Sequence, residues 1–327
     1  MKIAIVGAAG LVGRTMLRVL EERGVAYDAL RLFGGANSAG TVLDTARGPV
    51  SVEPLEGASL DGIDIALFSA GGSVSKEWAP RFAEAGAVVI DNSSYWRMHS
   101  DVPLVVPEVN AADALQHAGI IANPNCSTIQ LVVALWPLHQ AFGIRRVVVS
   151  TYQSVSGAGK KGVDHLADEL AGREPATRIS SHPLAYNTVF HSIGETGGSS
   201  EEEQKMARET RRIMHLPDLR IAVTCVRVPV LGGHGESVAI ETERPCSPAE
   251  ARAILAHAPG VVVADDPSTD TYPTVRLAEH SDAVHVGRIR TDTSVDNGLL
   301  MWVVADNLRK GAATNAVQIA EYLIANT

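Results

Sequence analysis

Cysteine is scarce: three are spread over 327 residues, at Cys126, Cys225 and Cys246. An odd number at such wide spacing excludes a disulfide framework and any CxxC metal knuckle, and suits a reducing compartment. Positive charge is also in short supply, with 28 Lys and Arg against 37 Asp and Glu and a formal net charge of −9. No basic stripe remains to neutralise phosphates, so no nucleic-acid partner is expected. The 11 histidines show neither HxxxH nor HExxH spacing, and no metal is expected. No apolar run reaches membrane-spanning length. Met1 to Val6 run straight into a glycine loop with no leader segment ahead of it. Together these absences give the expectation of a cytoplasmic soluble protein.

The length allows two domains, each with its own core. Ile3-Ala4-Ile5-Val6 is a continuous apolar run of the kind found in a buried parallel strand. It leads into Gly7-Ala8-Ala9-Gly10-Leu11-Val12-Gly13 and then a helical apolar pattern. This GxxGxxG spacing is a variant of the dinucleotide fingerprint. Its glycines admit a pyrophosphate close to the backbone, and the helix start supplies amide donors. Gly7, Ala9, Gly10, Leu11 and Val12 are therefore candidate cofactor contacts, against the plainer reading of a strand-to-helix turn.

A second strand at 29–33 should end in an acid if the cofactor were NAD. The chain instead continues Gly34-Gly35-Ala36-Asn37-Ser38-Ala39-Gly40. No carboxylate waits there for a ribose hydroxyl, while Asn37 and Ser38 can accept a 2′-phosphate, so NADP is favoured. No arginine lies in the loop to secure that choice, and turn chemistry alone also explains Asn37-Ser38. Strands at 64–69, 87–91 and 104–106 alternate with helices, which specifies a doubly wound parallel sheet over residues 1–124. Gly71 closes one strand on the ligand-binding edge of such a sheet. Arg97 follows another strand end, where it is either an anion fork or an ordinary surface residue.

The stretch Asn123-Pro124-Asn125-Cys126-Ser127-Thr128-Ile129-Gln130 organises the rest. A β-branched run enters it and Leu131 to Trp136 leave it as a long apolar run. The pattern reads strand, tight turn, helix, with Cys126 at the first helical turn. Free amides and the positive end of the helix dipole favour a thiolate there, and Asn125 adds a polar flank. A thiolate so placed is a nucleophile, and the same amides can stabilise an oxyanion. The bland alternative is a small buried cysteine that only packs.

After a helix to about residue 142, a strand at 146–152 leads to Gln153-Ser154-Val155-Ser156-Gly157-Ala158-Gly159, small residues that invite a ligand. A helix follows at about 161–170, and 173–199 reads as irregular. Ser200-Glu201-Glu202-Glu203 is a capping box opening a helix to Met214, with Glu202 and Lys205 on one face, ordinarily a solvated ion pair. Residues 221–230 alternate as a strand carrying Arg227, which needs a partner: a neighbouring acid or an anionic substrate. His234, held among glycines at a strand end, is expected to be accessible and mobile enough for proton transfer. Cys225 reads as core and Cys246 as loop. Strands at 284–289 and 299–304 and a terminal amphipathic helix beyond Asn307 complete the chain.

Taken together, the glycine loop at Gly7, Pro124-Asn125-Cys126-Ser127-Thr128, the Gln153 to Gly159 segment, and Cys225-Val226-Arg227-Val228-Pro229 with His234 resemble aspartate-semialdehyde dehydrogenases of bacterial type. Val105-Val106-Pro107-Glu108-Val109-Asn110 and Lys310-Gly311-Ala312-Ala313 extend the resemblance nearly end to end. It implies an α/β fold: a Rossmann-type NADP-binding domain of residues 1–124, completed by a C-terminal helix at 308–327. A catalytic and dimerisation domain of α+β type follows at 125–307, similar to that of glyceraldehyde-3-phosphate dehydrogenase, and the chain would form a homodimer.

The implied reaction is NADPH-dependent reductive dephosphorylation of L-aspartyl 4-phosphate to L-aspartate 4-semialdehyde. It stands on the route to lysine, threonine, methionine and diaminopimelate. By the same resemblance Cys126 is the thioester-forming nucleophile, His234 the acid/base, and Gln153 the orienting group, with Asn125 beside the nucleophile. Arg227 and Glu202 hold the substrate, Arg97 and Lys205 the phosphate. Ser156, Gly157 and Asn307 belong to the cofactor side, Asn307 as a nicotinamide contact. One departure stands out: close relatives often read Arg-Ser-Ala-Gly where this chain has Asn37-Ser38-Ala39-Gly40, which opens dual NADP and NAD use. Two rival readings are an N-acetyl-glutamyl-phosphate reductase, with the same thiol and hydride logic, and a catalytically idle NADP-binding module.

Overall fold

The computed structural model describes residues 1–193 and 198–326. Residues 194–197 of the irregular 173–199 stretch lie outside the described residues. The chain divides into two compact units. One is Met1–Asn125 with the chain from Ala312 onward, and the other is Cys126–Gly311.

The first unit comprises β1 (Lys2–Val6), α1 (Leu11–Glu22), β2 (Ala29–Gly34), β3 (Val42–Leu43), β4 (Val50–Pro54), β5 (Ile65–Phe68), α2 (Gly72–Glu84), β6 (Val88–Asp91), α3 (Pro107–Asn110) and β7 (Ile120–Ala122). Its sheet runs β3-β4-β2-β1-β5-β6-β7. Pairing is parallel except between β3 and β4. The order reverses at β1, which has β2 on one side and β5 on the other, and that switch point is where such sheets bind ligands. Ile3, Ala4, Ile5 and Val6 are wholly buried, as a strand covered on both faces requires. Ile3 and Ile5 pack with Met16, Leu17 and Leu20 of α1 and with Val317, Ala320 and Leu323 of the C-terminal helix, Thr314–Asn326.

The strand expected at 104–106 is reduced to a single bridge, Leu104 to Ala122. The Val106 amide donates to Asn110 Oδ1 at 2.9 Å, so a side chain takes the hydrogen bond that would have extended the ladder. Pro107 then opens α3.

The second unit comprises α4 (Cys126–Phe142), β8 (Ile144–Gln153), α5 (Lys160–Leu170), β9 (Val189–Phe190), α6 (Glu201–Ile213), β10 (Arg220–Arg227), β11 (His234–Thr242), α7 (Pro248–Ala256), β12 (Val261–Val263), α8 (Val275–Ala278), β13 (Val284–Asp292) and β14 (Gly298–Ala305). Its mixed sheet runs β12-β13-β14-β11-β8-β10-β9. Along β8 the side chains alternate: Val147, Val149, Thr151 and Gln153 are buried, while Tyr152 is exposed on the opposite face. Helices α4, α6 and α7 pack against this sheet. Every residue of α4 from Ser127 to Leu135 is buried, so over this stretch the helix is internal all round. A π-helical turn, Arg309–Ala313, precedes the C-terminal helix.

Candidate active site

Within the second unit the strand register gathers the site at one edge of the sheet. Gln153, the last residue of β8, lies opposite Arg227 of parallel β10 on one side and opposite His234 of antiparallel β11 on the other. The N-terminus of α4 brings Cys126 and Ser127 to the same place: Gln153 Nε2 donates to Ser127 Oγ at 3.0 Å. Its remaining contacts are Thr151 Oγ1 and, from α6, Glu202 Oε1, both at 3.3 Å.

Cys126 is the first residue of α4 and is half-buried. It packs against Gly311, where an added Cβ would stand 2.9 Å from the cysteine Cβ. Arg227 lies close enough for a thiolate at Cys126 to favour its charged form. The other two thiols are held protonated: burial pushes Cys225 far up and Cys246 up to about 11. Arg227 directs Nη1 to the Ser154 carbonyl at 2.6 Å and approaches His191 with Nη2 at 3.4 Å. Burial lowers the pKa of Arg227 from its ordinary value, although a guanidinium remains charged.

His234 departs from its expected mobility. It starts β11 and is fully buried, because the strand continues through it and its ring faces the helix-covered side. Its Nδ1 accepts from the Ser154 amide at 3.1 Å and lies 3.2 Å from Ser154 Oγ. An amide can only donate, so Nδ1 carries the lone pair and Nε2 carries the hydrogen. Nε2 has no hydrogen-bond partner among the described residues. It points to Gly157, where a side-chain carbon would stand only 3.4 Å away, so the glycine keeps that approach open. Burial, followed by the Arg227 charge, lowers the His234 pKa to about 3. The ring is neutral and offers one free N–H donor.

Asn307 is buried behind this assembly. Its Oδ1 accepts from the Gly233 amide at 2.9 Å and from the hydroxyls of Ser154 and Ser156 at 3.1 and 3.2 Å. Its Nδ2 donates to Ser156 Oγ at 3.1 Å, so the amide ties the 154–157 turn to the start of β11. Glu202 and Lys205 line a cavity of about 260 Å³ with His191, Ser192 and Glu201. Lys205 Nζ pairs with Glu201 at 3.1 Å. His191 has no signal in the sequence: it follows the short strand β9, which pairs with β10 at Arg227 and so brings it beside that residue.

The first unit contains a separate groove of about 700 Å³, lined by Gly7, Ala9, Gly10, Gly34, Gly35 and Ser38, with Ser69 and Trp78 opposite. Gly7 adopts φ +84° and an added Cβ would collide with the Ser69 carbonyl. Only glycine allows the backbone to line the groove so closely. These features fit a dinucleotide. Leu11 and Val12 form the first turn of α1 and Gly71 precedes α2, but neither these nor Asn37 are among the lining residues. Ser38 Oγ donates to the Gly35 carbonyl at 3.0 Å. A carboxylate does line the groove: Glu56, delivered from beyond β4 rather than β2, which a reading of the second strand alone overlooks. Arg97 is buried, not a surface residue, and donates to the carbonyls of Asn123 at 3.0 Å and Asn92 at 2.9 Å. Asn125 is also buried.

Residues 2–118 match the family model for the semialdehyde dehydrogenase NAD-binding domain, and residues 135–310 that for the semialdehyde dehydrogenase dimerisation domain. An aspartate-semialdehyde dehydrogenase of Aquifex aeolicus (strain VF5) is 54% identical over 332 residues, covering 99% of this chain and 98% of its own. The chain belongs to the aspartate-semialdehyde dehydrogenase family. A crystal structure of aspartate semialdehyde dehydrogenase II from Vibrio cholerae complexed with ASA superposes with a TM-score of 0.95 at 46% identity, covering 99% of this chain and 98% of that one. The enzyme from Candida albicans, solved with NADP, superposes at 0.76 with 25% identity and 98% coverage of both chains. Membership makes the chain an oxidoreductase of amino-acid biosynthesis with a nicotinamide cofactor, as the resemblance implied. No helix among the described residues is long and apolar enough to cross a membrane.

Proposed function

We propose that the chain catalyses NADPH-dependent reductive dephosphorylation of L-aspartyl 4-phosphate to L-aspartate 4-semialdehyde through a thioester on Cys126. The product serves the lysine, threonine, methionine and diaminopimelate routes. The observation that carries this reading is the register of Gln153 between Arg227 and His234, hydrogen-bonded to the residue after Cys126.

In this reading the first turn of α4 and the Arg227 guanidinium favour the Cys126 thiolate. The thiolate attacks the acyl carbon, forming the C–S bond as the phosphate departs with the electrons of the broken C–O bond. Lys205 receives the phosphate in the second unit, and Arg97 keeps the phosphate role that the resemblance gives it. Arg227 and Glu202 hold the substrate's carboxylate and amine, and Gln153 orients the acyl group. The cofactor, held by Gly7, Ala9, Gly10 and Ser38, supplies hydride when bound. His234 donates its Nε2 hydrogen bond to the resulting oxyanion. Collapse of that oxyanion restores the carbonyl and expels the thiolate, so the hydride half-reaction consumes no net proton, while the departed phosphate takes up its proton from water. A neutral imidazole is therefore sufficient, which narrows the expected acid/base role to oxyanion stabilisation.

Ser38 supports NADP binding, while Glu56 and the lack of an arginine in the 2′-phosphate loop support weak discrimination against NAD. The expected kcat/KM ratio of NADPH to NADH is less than about a hundredfold, and Glu56→Gln raises it by removing a like charge. The exposed sheet face opposite α4 supports a homodimer. Tyr152, Val228 and Trp302 line a cavity of about 740 Å³ there, and a side chain at Gly235 would collide with the Trp302 ring. An assay of phosphate-dependent NADP reduction with aspartate semialdehyde tests the activity. Turnover that requires phosphate is expected, and turnover without it would overturn the reading.

A further inference from the structure

Glu236 has no place in the chemistry above, yet it is completely buried two residues beyond His234. Along β11 the side chains of His234, Glu236, Val238 and Ile240 are buried, on the face that α4 covers. Its register partners are Thr151 on β8 and Val303 on β14, neither of them charged. Among the described residues, both carboxyl oxygens lack a hydrogen-bond donor, and so does Oε1 of the equally buried Gln130 on α4. Gln130 is the side chain beside the Glu236 carboxyl; its amide favours the charged form, but burial, the larger effect, favours the neutral one. Buried acceptors left without a donor are costly, and here the conflict eases if one of these neighbouring oxygens carries a hydrogen.

One proton on Glu236 resolves this conflict. The acid then donates O–H to Gln130 Oε1, and Gln130 Nε2 is left to donate to the backbone carbonyl of His234, from which it lies 3.3 Å. We infer that Glu236 is a neutral carboxylic acid and a positioning residue, acting through Gln130 to fix the backbone of His234 and hence the direction of its free Nε2–H. Two hydrogen bonds run from acid to amide to the His234 carbonyl, and the backbone of His234 joins that carbonyl to its imidazole. Burial favours the same state by holding the carboxyl well above the usual carboxylate range. The nearby titratable groups are Cys225, whose thiol burial keeps protonated, and His234, which is neutral. Neither supplies a positive charge to draw the proton off. The inference rests on the role given to His234, but its first test does not need turnover.

That test is infrared difference spectroscopy of the intact protein against Glu236→Gln, from pH 6 to pH 9. A C=O band of a protonated carboxylic acid, lost in Glu236→Gln and constant across the range, is expected. A carboxylate band from Glu236 at neutral pH would overturn the inference. Kinetics supply the second test. Glu236→Gln keeps an N–H donor toward Gln130 and is expected to hold kcat within about twofold of the parent. Glu236→Met keeps the length and removes the donor. It is expected to lower kcat per titratable Cys126 about tenfold with KM for the semialdehyde unchanged. Equal damage in the two variants, or a Glu236→Met enzyme as fast as the parent, would overturn it. A parent that shows the acid band but no semialdehyde activity would count against the proposed function and leave this inference standing.

Discussion

A histidine cut off from water titrates far from neutrality, and at His234 this links stability to pH. Its pKa is lowered to about 3 in the folded chain, chiefly by burial, against an ordinary value of 6.5. Between these values the unfolded chain binds a proton that the folded chain refuses, so stability rises with pH across that window. Acidification from about pH 6.5 toward 3 is therefore destabilising at this residue, by up to about 1.4 kcal/mol per pH unit. His234→Gln is expected to flatten the dependence of urea midpoint on pH in this window, and an unchanged slope would contradict the assignment. The sequence reveals the residue but not its state. Glycines on both sides suggest a mobile ring, whereas the Ser154 amide and the continuation of β11 lock it. Cys126 is more legible, because a strand, a tight turn and an apolar helix fix a helix N-terminus locally.

At the scale of elements, α6 depends on its cap. Ser200 Oγ accepts from the Glu203 amide at 3.3 Å, and Glu203 Oε2 accepts from the Ser200 amide at 2.7 Å. Glu203 Oε1 also accepts from the Cys225 amide at 3.1 Å, which fastens the first turn of α6 to β10. Glu202 and Lys205 ride on these first turns. Ser200→Ala is expected to cost about 1 kcal/mol, lowering Tm by about 2–4 °C, and to raise KM for the semialdehyde more than it lowers kcat. Thermal unfolding and steady-state kinetics check both. This box is readable from spacing alone, as is the run of parallel strands in the first unit, since both are local patterns. Strand β11 is not: its buried face begins with His234 and Glu236, so the apolar alternation that marks a strand is missing where the site lies. Helix α7 escapes the sequence reading despite its own capping box at Ser247 and Glu250. Glu56 and His191 are illegible because sheet order, not sequence spacing, brings them to their cavities.

For the molecule as a whole, the division of labour between the units bears on function. The proposed cofactor groove belongs to the first unit, and the residues around Cys126 come from the second. The outer sheet face is the proposed dimer surface, so Trp302→Glu is expected to shift the sedimentation coefficient from dimer to monomer; a dimer that survives the change would place the interface elsewhere. Everything nonetheless converges on one sulfur. Mixing the enzyme with aspartate semialdehyde and NADP in the absence of phosphate should form one acyl thioester per chain. Mass analysis of the denatured protein reads it directly. A single aspartyl adduct is expected on the Cys126 peptide, discharged by added phosphate and missing in Cys126→Ser. An adduct on any other residue, or a Cys126→Ser chain that still releases a burst of NADPH, would contradict the thioester route.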